Sequence, residues 1–310
     1  MGIKNFSKFI CNFKKAENLP DICDLRIDCL PIFFKSIVWA EKNVKIDFEK
    51  TLSNFLHQIK DVTENVGKLT LIRKTYLHFD GISPKQKKMT RIKRRQGWSI
   101  NYNKYINLLK NHLLTSNYTV EIKGESEFEM FFSRDTKIAN VLHSIDSDLF
   151  VISTKYEPKC NSDVVYILNR NLYTCDVYSE LPRSYLILLF ILMGTDFNDN
   201  IISSTMASTM IRNNLSDIKI DSIEKLETAI FNLLILLIGK KFTLPKQQDY
   251  VNFNPKRFSE RLFWVYNYFE NYDVEMDYEN FDNINKIKYL DYIVAKHTNG
   301  LCLTIKDLIK

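Results

Sequence analysis

The chain has 310 residues, 45% of them apolar or aromatic and 26% charged, with 43 Lys and Arg against 37 Asp and Glu. That is enough apolar material for a core of about two domains, so disordered and collagen-like chains are excluded, and eight glycines with seven prolines argue against a many-turned all-β architecture. A net charge of +6 identifies no partner by its size; only the placement of the charges can.

In chain order, residues 1 to 200 alternate short β-branched stretches with helical patterns, which predicts an α/β domain with a mainly parallel sheet. Strands are expected at Asp24 to Ile27, Thr75 to Phe79, Thr119 to Ile122, Asn140 to His143, Leu149 to Ser153, Val164 to Leu168 and Tyr173 to Val177. Helices are expected at Asn5 to Phe13, Pro31 to Glu41, Phe48 to Val66 and Glu127 to Asp135. After Pro182 the pattern turns helical, at Ser184 to Met193, Ile223 to Ile238 and Pro255 to Tyr272, giving a helical C-terminal region over 201–310. The six cysteines form no C-x-x-C pair and no zinc-finger spacing, so they read as buried free thiols in a reducing compartment. The longest apolar runs are about half of the ~20 residues that a membrane-spanning helix needs. With Phe6 where a myristoylation signal wants Ser or Thr, and no secretory leader, a cytoplasmic or nuclear protein without membrane partners is expected.

The acids are the informative residues. Asp28 ends Leu25-Arg26-Ile27-Asp28, Asp80 ends a second strand, Glu125 and Glu127 follow a third, and Asp146 and Asp148 follow a fourth; Asp196 closes an apolar helix in Met193-Gly194-Thr195-Asp196. In an open parallel sheet the carboxyl ends of the strands line the ligand crevice. Acids gathered there repel one another unless hard cations neutralise them, and all-oxygen ligation suits Mg²⁺ or Mn²⁺. Two such ions ~4 Å apart clamp an in-line displacement at phosphorus, so the implied chemistry is phosphodiester hydrolysis. Any one of these aspartates, taken singly, is ordinarily a turn residue or helix cap. Their joint arrangement is harder to read that way, because the E-x-E and D-x-D pairs each sit beside an apolar stretch.

Between Lys85 and Arg95 the chain carries Lys85, Lys87, Lys88, Arg91, Lys93, Arg94 and Arg95 without an acid. On a helix Lys87, Arg91, Arg94 and Arg95 share one face, as a phosphate backbone would require; a nuclear localisation signal or a solvated face is the alternative. Trp98, Tyr102 and Tyr105 either stack on bases or pack an amphipathic helix.

These residues resemble a family. Met1-Gly2-Ile3-Lys4-Asn5-Phe6 is similar to the start of the flap endonuclease/XPG and Xrn-type 5′ nucleases, and Asp28, Asp80, Glu125, Glu127, Asp146, Asp148 and Asp196 match that family's seven metal-site carboxylates in type and order. The resemblance covers roughly residues 1 to 200. It implies a PIN-like α/β nuclease domain, two divalent ions, and hydrolysis that leaves a 5′-phosphate near DNA 5′ ends or flaps, in replication, recombination or repair. One ion is expected mainly on Asp28, Asp80, Glu125 and Glu127, the other towards Asp146, Asp148 and Asp196. Lys87 and Arg94 match the basic residues that engage the reacting phosphate. Arg91 and Arg95, with Lys85 and Gly2, are expected at the 5′-phosphate, and Phe34 at the position of an aromatic stacked near the scissile base. In size the chain is similar to the short flap-endonuclease-like proteins of large DNA viruses, the poxvirus type, which would place it in host cytoplasm. Two departures stand out: only 45 residues separate Asp80 from Glu125, implying a short arch, and the segment after Asp196 lacks the glycines of a helix-two-turn-helix. The C-terminal region is then a degenerate form of that motif or another substrate-contacting element. An Xrn-type exoribonuclease acting on 5′-monophosphate RNA and a catalytically silent nucleic-acid-binding scaffold remain the alternatives.

Overall fold

The computed structural model describes residues 21–41, 45–81, 101–122, 124, 126, 129–130, 138–144, 149, 152, 164–168, 171–174, 181–195, 197–198, 200–240, 253–270 and 286–309. They fall into two compact units, one within Lys14–Cys175 and one within Asp176–Lys310.

The first unit is α/β. Its elements are β1 (Ile22–Asp28), α1 (Cys29–Ser36), β2 (Trp39–Glu41), β3 (Lys45–Ile46), α2 (Phe48–Gly67), β4 (Leu71–His78), α3 (Tyr102–Leu114), β5 (Thr119–Glu121), β6 (Ala139–His143), β7 (Val164–Leu168) and β8 (Asn171–Thr174). The main sheet runs β5-β4-β1-β6-β7-β8, with β8 antiparallel to β7 and every other pair parallel. The chain therefore fills one side of β1 first and returns to fill the other, so the strand order reverses between β1 and β6. In doubly wound sheets the ligand crevice opens there, beyond the carboxyl ends.

Period-two alternation divides β1. Cys23, Leu25 and Ile27 join a core with Phe33 of α1, Phe55 and Ile59 of α2, Leu77 of β4, and Ile106, Leu109 and Leu113 of α3. Asp24, Arg26 and Asp28 take the other face and are equally buried. Asp47 caps α2 by accepting the Lys50 N–H at 3.2 Å, and Asn101 caps α3 by accepting that of Lys104 at 3.4 Å. Tyr102 is buried in α3, and half-buried Tyr105 packs against Phe48 with ring centroids 6.4 Å apart, so these two tyrosines serve helix packing; Trp98 lies outside the described residues.

Two expected elements differ. The helix expected over Pro31 to Glu41 ends at Ser36, whose hydroxyl donates back to the Ile32 carbonyl at 2.8 Å, and Trp39–Glu41 instead pairs antiparallel with Lys45–Ile46. Ile37, Val38 and Trp39 favour extended backbone, and the Val38 N–H is taken by the Thr51 hydroxyl at 3.0 Å. In the strand expected over Leu149 to Ser153, Leu149 and Ile152 are the described residues, and both are helical and buried. A short apolar run fits either structure by pattern alone. The helix at Asn5 to Phe13 lies outside the described residues; of the one at Glu127 to Asp135, Glu129 and Met130 are described and are helical.

The second unit is helical: α4 (Arg183–Met193), α5 (Ser204–Met210), α6 (Ile223–Ile235), α7 (Pro255–Glu270), α8 (Lys286–His297) and α9 (Ile305–Ile309). Tyr185 to Met193 are all buried, which explains why α4 is apolar all round. It stops at Gly194, where φ is 97°, a conformation that suits glycine. No helix among the described residues is long and apolar enough to cross a membrane.

Candidate metal and nucleic-acid site

Asp28 ends β1 and occupies the N-cap position of α1, yet its side chain makes no capping hydrogen bond. The carboxylate turns instead to two serines from other strand ends. Ser126 Oγ donates to Oδ1 at 2.9 Å, and Ser144 Oγ, just beyond β6, donates to Oδ2 at 2.8 Å. All three residues are buried, with exposures of 1% or less. The Ser144 bond bridges β1 and β6, across the reversal in strand order.

Asp80, two residues past β4, joins through the same serine: the Ser126 backbone N–H donates to Asp80 Oδ1 at 3.0 Å. The Phe79 N–H donates to the Glu121 carbonyl at 3.0 Å and that of Gly81 to Gly124 at 2.8 Å, which fixes the Asp80 turn against the segment after β5. Ser126 thus holds one carboxylate by its hydroxyl and another by its main chain, and it stands between Glu125 and Glu127 in the sequence.

Beneath Asp28 lies a polar network that the sequence reading did not anticipate. Arg26 is 1% exposed; its Nε donates to Asn140 Oδ1 of β6 at 2.9 Å, its Nη1 lies 3.3 Å from His78 Nε2 of β4, and its guanidinium sits 4.2 Å from the Tyr76 ring centroid. Guanidinium only donates, so His78 Nε2 is the acceptor and unprotonated. One buried cation thereby joins the strands that lead to Asp80 and to Ser144. The available signal was the alternation Asp24-Leu25-Arg26-Ile27-Asp28, which puts a cation on the face of the acid. Burial, with the Asp28 charge adding to it, pushes the adjacent Cys29 thiol well above its ordinary value, so this cysteine stays protonated.

Lys110 of α3 was likewise unanticipated. Its Nζ donates to the Asp80 main-chain carbonyl at 3.1 Å and lies 5.7 Å from the Phe79 ring centroid. Partial burial lowers its pKa, and the Asp80 charge works against that shift.

Phe34, on α1, is 38% exposed and leans on Tyr102 with centroids 5.6 Å apart. In the helical unit, Thr195 and Asn198 flank Asp196. Thr195 Oγ1 donates to Asn198 Oδ1 at 2.7 Å, and Asn198 Nδ2 donates to the Ile191 carbonyl at 2.8 Å, tying that turn to the end of α4. Gly2, Lys85, Lys87, Arg91, Arg94, Arg95, Glu125, Glu127, Asp146, Asp148 and Asp196 lie outside the described residues. Among the described residues, no group of three His, Cys, Asp or Glu side chains gathers in a metal-binding arrangement. Asp28 and Asp80, joined through Ser126, are the two expected ligands that the structure brings together. Their donors are carboxylate oxygens, which suits a hard ion such as Mg²⁺ and not a thiolate- or imidazole-seeking one.

No protein-family model and no curated protein matches the chain. Solved structures do. The catalytic core of Rad2 in complex with DNA substrate is 13% identical over 96% of this chain and 95% of that chain, with a TM-score of 0.49. A bacteriophage T5 flap endonuclease in a pseudo-enzyme-product complex with DNA and metal ions is 10% identical over 94% of this chain and 99% of that chain, with a TM-score of 0.44. A T5 5′-exonuclease is 11% identical over 93% and 100%, with a TM-score of 0.35. At these identities and scores the likenesses fix neither family nor substrate.

Proposed function

We propose that the chain is a divalent-metal-dependent 5′ nuclease of the flap endonuclease/XPG/Xrn kind, built on a PIN-like α/β domain, that hydrolyses phosphodiesters near DNA 5′ ends or flaps. One observation carries this reading: both carboxylate oxygens of Asp28 accept hydrogen bonds from serines that sit within or beside the two acidic pairs. Ser126 is peptide-bonded to Glu125 and Glu127, and Ser144 precedes Asp146 and Asp148 by two and four residues. A capping aspartate would have spent those oxygens on its own helix.

Mg²⁺ or Mn²⁺ would be held by Asp28, Asp80, Glu125, Glu127, Asp146, Asp148 and Asp196, as two ions. Bound there, the ions would supply Lewis acidity and a water of lowered pKa. The chain's own residues do the rest. Ser126 and Ser144 orient Asp28, as outer partners of metal ligands do. Lys87 and Arg94 offset charge on the reacting phosphate, Lys85, Arg91, Arg95 and Gly2 hold the 5′-phosphate, and exposed Phe34 offers a face to a base.

The test compares 5′-flap DNA with 5′-phosphorylated single-stranded RNA at equal Mg²⁺, with a chelator control, for wild type and Asp28→Asn. Cleavage of the DNA is expected, with a loss of at least about 100-fold in the variant, since a ligand costs no less than its outer partners. Calorimetric Mn²⁺ binding should weaken in parallel. Wild-type cleavage by Asp28→Asn would overturn the reading; preference for the RNA would move the substrate while keeping the chemistry.

A further inference from the structure

We propose that Lys110 of α3 is a phosphate ligand for the nucleic-acid backbone at the Asp80 end of the site. This inference rests on the nuclease reading and adds a residue outside the basic stretch that the sequence singles out.

Lys110 lies at the margin of the buried stripe of α3, four residues after Ile106 and three before Leu113, both buried. Its stem therefore follows apolar surface while the ammonium reaches out beyond Phe79, as long cationic side chains commonly do. The ammonium ends beside Asp80, whose main-chain carbonyl accepts one of its hydrogens at 3.1 Å. An ammonium has three donors, and among the described residues this is its one hydrogen bond. Two donors are thus left at the aspartate that the nuclease reading puts next to the reacting phosphate. Among the described residues no carboxylate oxygen takes them, and Asp80 Oδ1 accepts from the Ser126 N–H at 3.0 Å. A half-buried cation fixed by one neutral acceptor keeps its charge for an incoming anion, whereas an ion-paired lysine would first have to break its pair.

The experiment measures binding of a fluorescent 5′-flap DNA oligonucleotide by the full chain in chelator across a salt series, for wild type, Lys110→Gln, Lys110→Met and Lys110→Arg. A lost phosphate contact weakens binding roughly five-fold at 0.15 M salt and lowers the slope of log affinity against log salt by about 0.7 to 0.9. We expect both changes in Lys110→Gln and Lys110→Met, and restoration of the slope in Lys110→Arg. Met keeps the stem over Phe79, so a fold defect in Gln alone is separated from lost charge. Weaker binding with an unchanged slope would make Lys110 a packing residue and overturn the proposal, as would unchanged binding. If Asp28→Asn abolishes cleavage while the slope stays fixed, this inference alone falls. If the wild type neither binds nor cleaves the DNA, the nuclease reading falls and takes this inference with it.

Discussion

The two units spend their buried polar groups differently. In the helical unit two of them join helix to helix. Glu227 of α6, 1% exposed, accepts from Tyr292 at 3.2 Å and from Lys296, both on α8, and Ser259 of α7 shares a 3.0 Å hydrogen bond with Tyr289 of α8. In the α/β unit Ser126 and Ser144 are equally buried and bond to the Asp28 carboxylate, while buried Arg26 joins His78 and Asn140 on the strands to either side of β1. Polar burial is costly in both places. Where it joins two elements its return is stability; where it orients one acid, the return is expected in metal and substrate binding.

The largest effect should come from pH, at the site end of the sheet. His143 ends β6 and is 9% exposed, and its Nδ1 has no hydrogen-bond partner among the described residues. Burial, with Lys35 nearby, lowers its pKa from 6.5 to about 4. The folded chain therefore keeps this ring neutral while the unfolded chain takes up a proton. Stability is intact above pH 6.5, falls as pH drops towards 4, and levels off below that, a loss of up to about 3 kcal/mol. Urea unfolding of His143→Gln at pH 7 and pH 4.5 should show a flatter dependence than wild type; an equal dependence would mean that the ring is not desolvated. The next effect belongs to the helical unit. Lys296→Met leaves the Glu227 carboxylate buried with Tyr292 as its remaining partner of the two, and should cost about 2 kcal/mol in urea unfolding. That is below the ~3 to 5 kcal/mol of fully buried pairs, because Lys296 is itself 44% exposed. Its cleavage rate and metal dependence should stay at wild-type values. A change in either would blur the division between the units.

The parts of the fold legible in the sequence are those in which one pattern dominates. The stripe of Leu52, Phe55, Ile59 and Val66 allows only the helical period, and α2 ends within a residue of expectation. The end of α1 and the Leu149–Ser153 segment were not legible, because Ile, Val and Leu in short runs satisfy both periods and tertiary contacts decide. Within the site, Asp28 and Asp80 could be picked out from their places after strands. Ser126 and Ser144 could not: their bonds to Asp28 span 98 and 116 residues, and nothing local distinguishes them from other serines. Lys110 was hidden for a similar reason, since its partner lies 30 residues back and it stands apart from the run of cations at 85–95.

The smallest stability effects make the sharpest contrast, because a matched pair of serines can be removed, one from each unit. Ser144 and Ser259 are both 0% exposed, and each makes a side-chain hydrogen bond of similar length, 2.8 Å to Asp28 and 3.0 Å to Tyr289. Alanine at either position removes one hydroxyl and leaves a buried partner short of one hydrogen bond, so each should cost about 1 kcal/mol in unfolding. Function should separate them. Ser144→Ala removes the hydrogen bond to Asp28 Oδ2 and, since Ser144 is an outer partner of a proposed metal ligand, should lower Mn²⁺ affinity or cleavage roughly 10- to 100-fold. Ser259→Ala should leave both untouched, since Tyr289 meets no acid of the proposed site among the described residues. The comparison breaks if Ser144→Ala loses only stability: Asp28 would then be a buried acid whose hydrogen bonds serve the fold, and the two units would be using their polar groups in the same way.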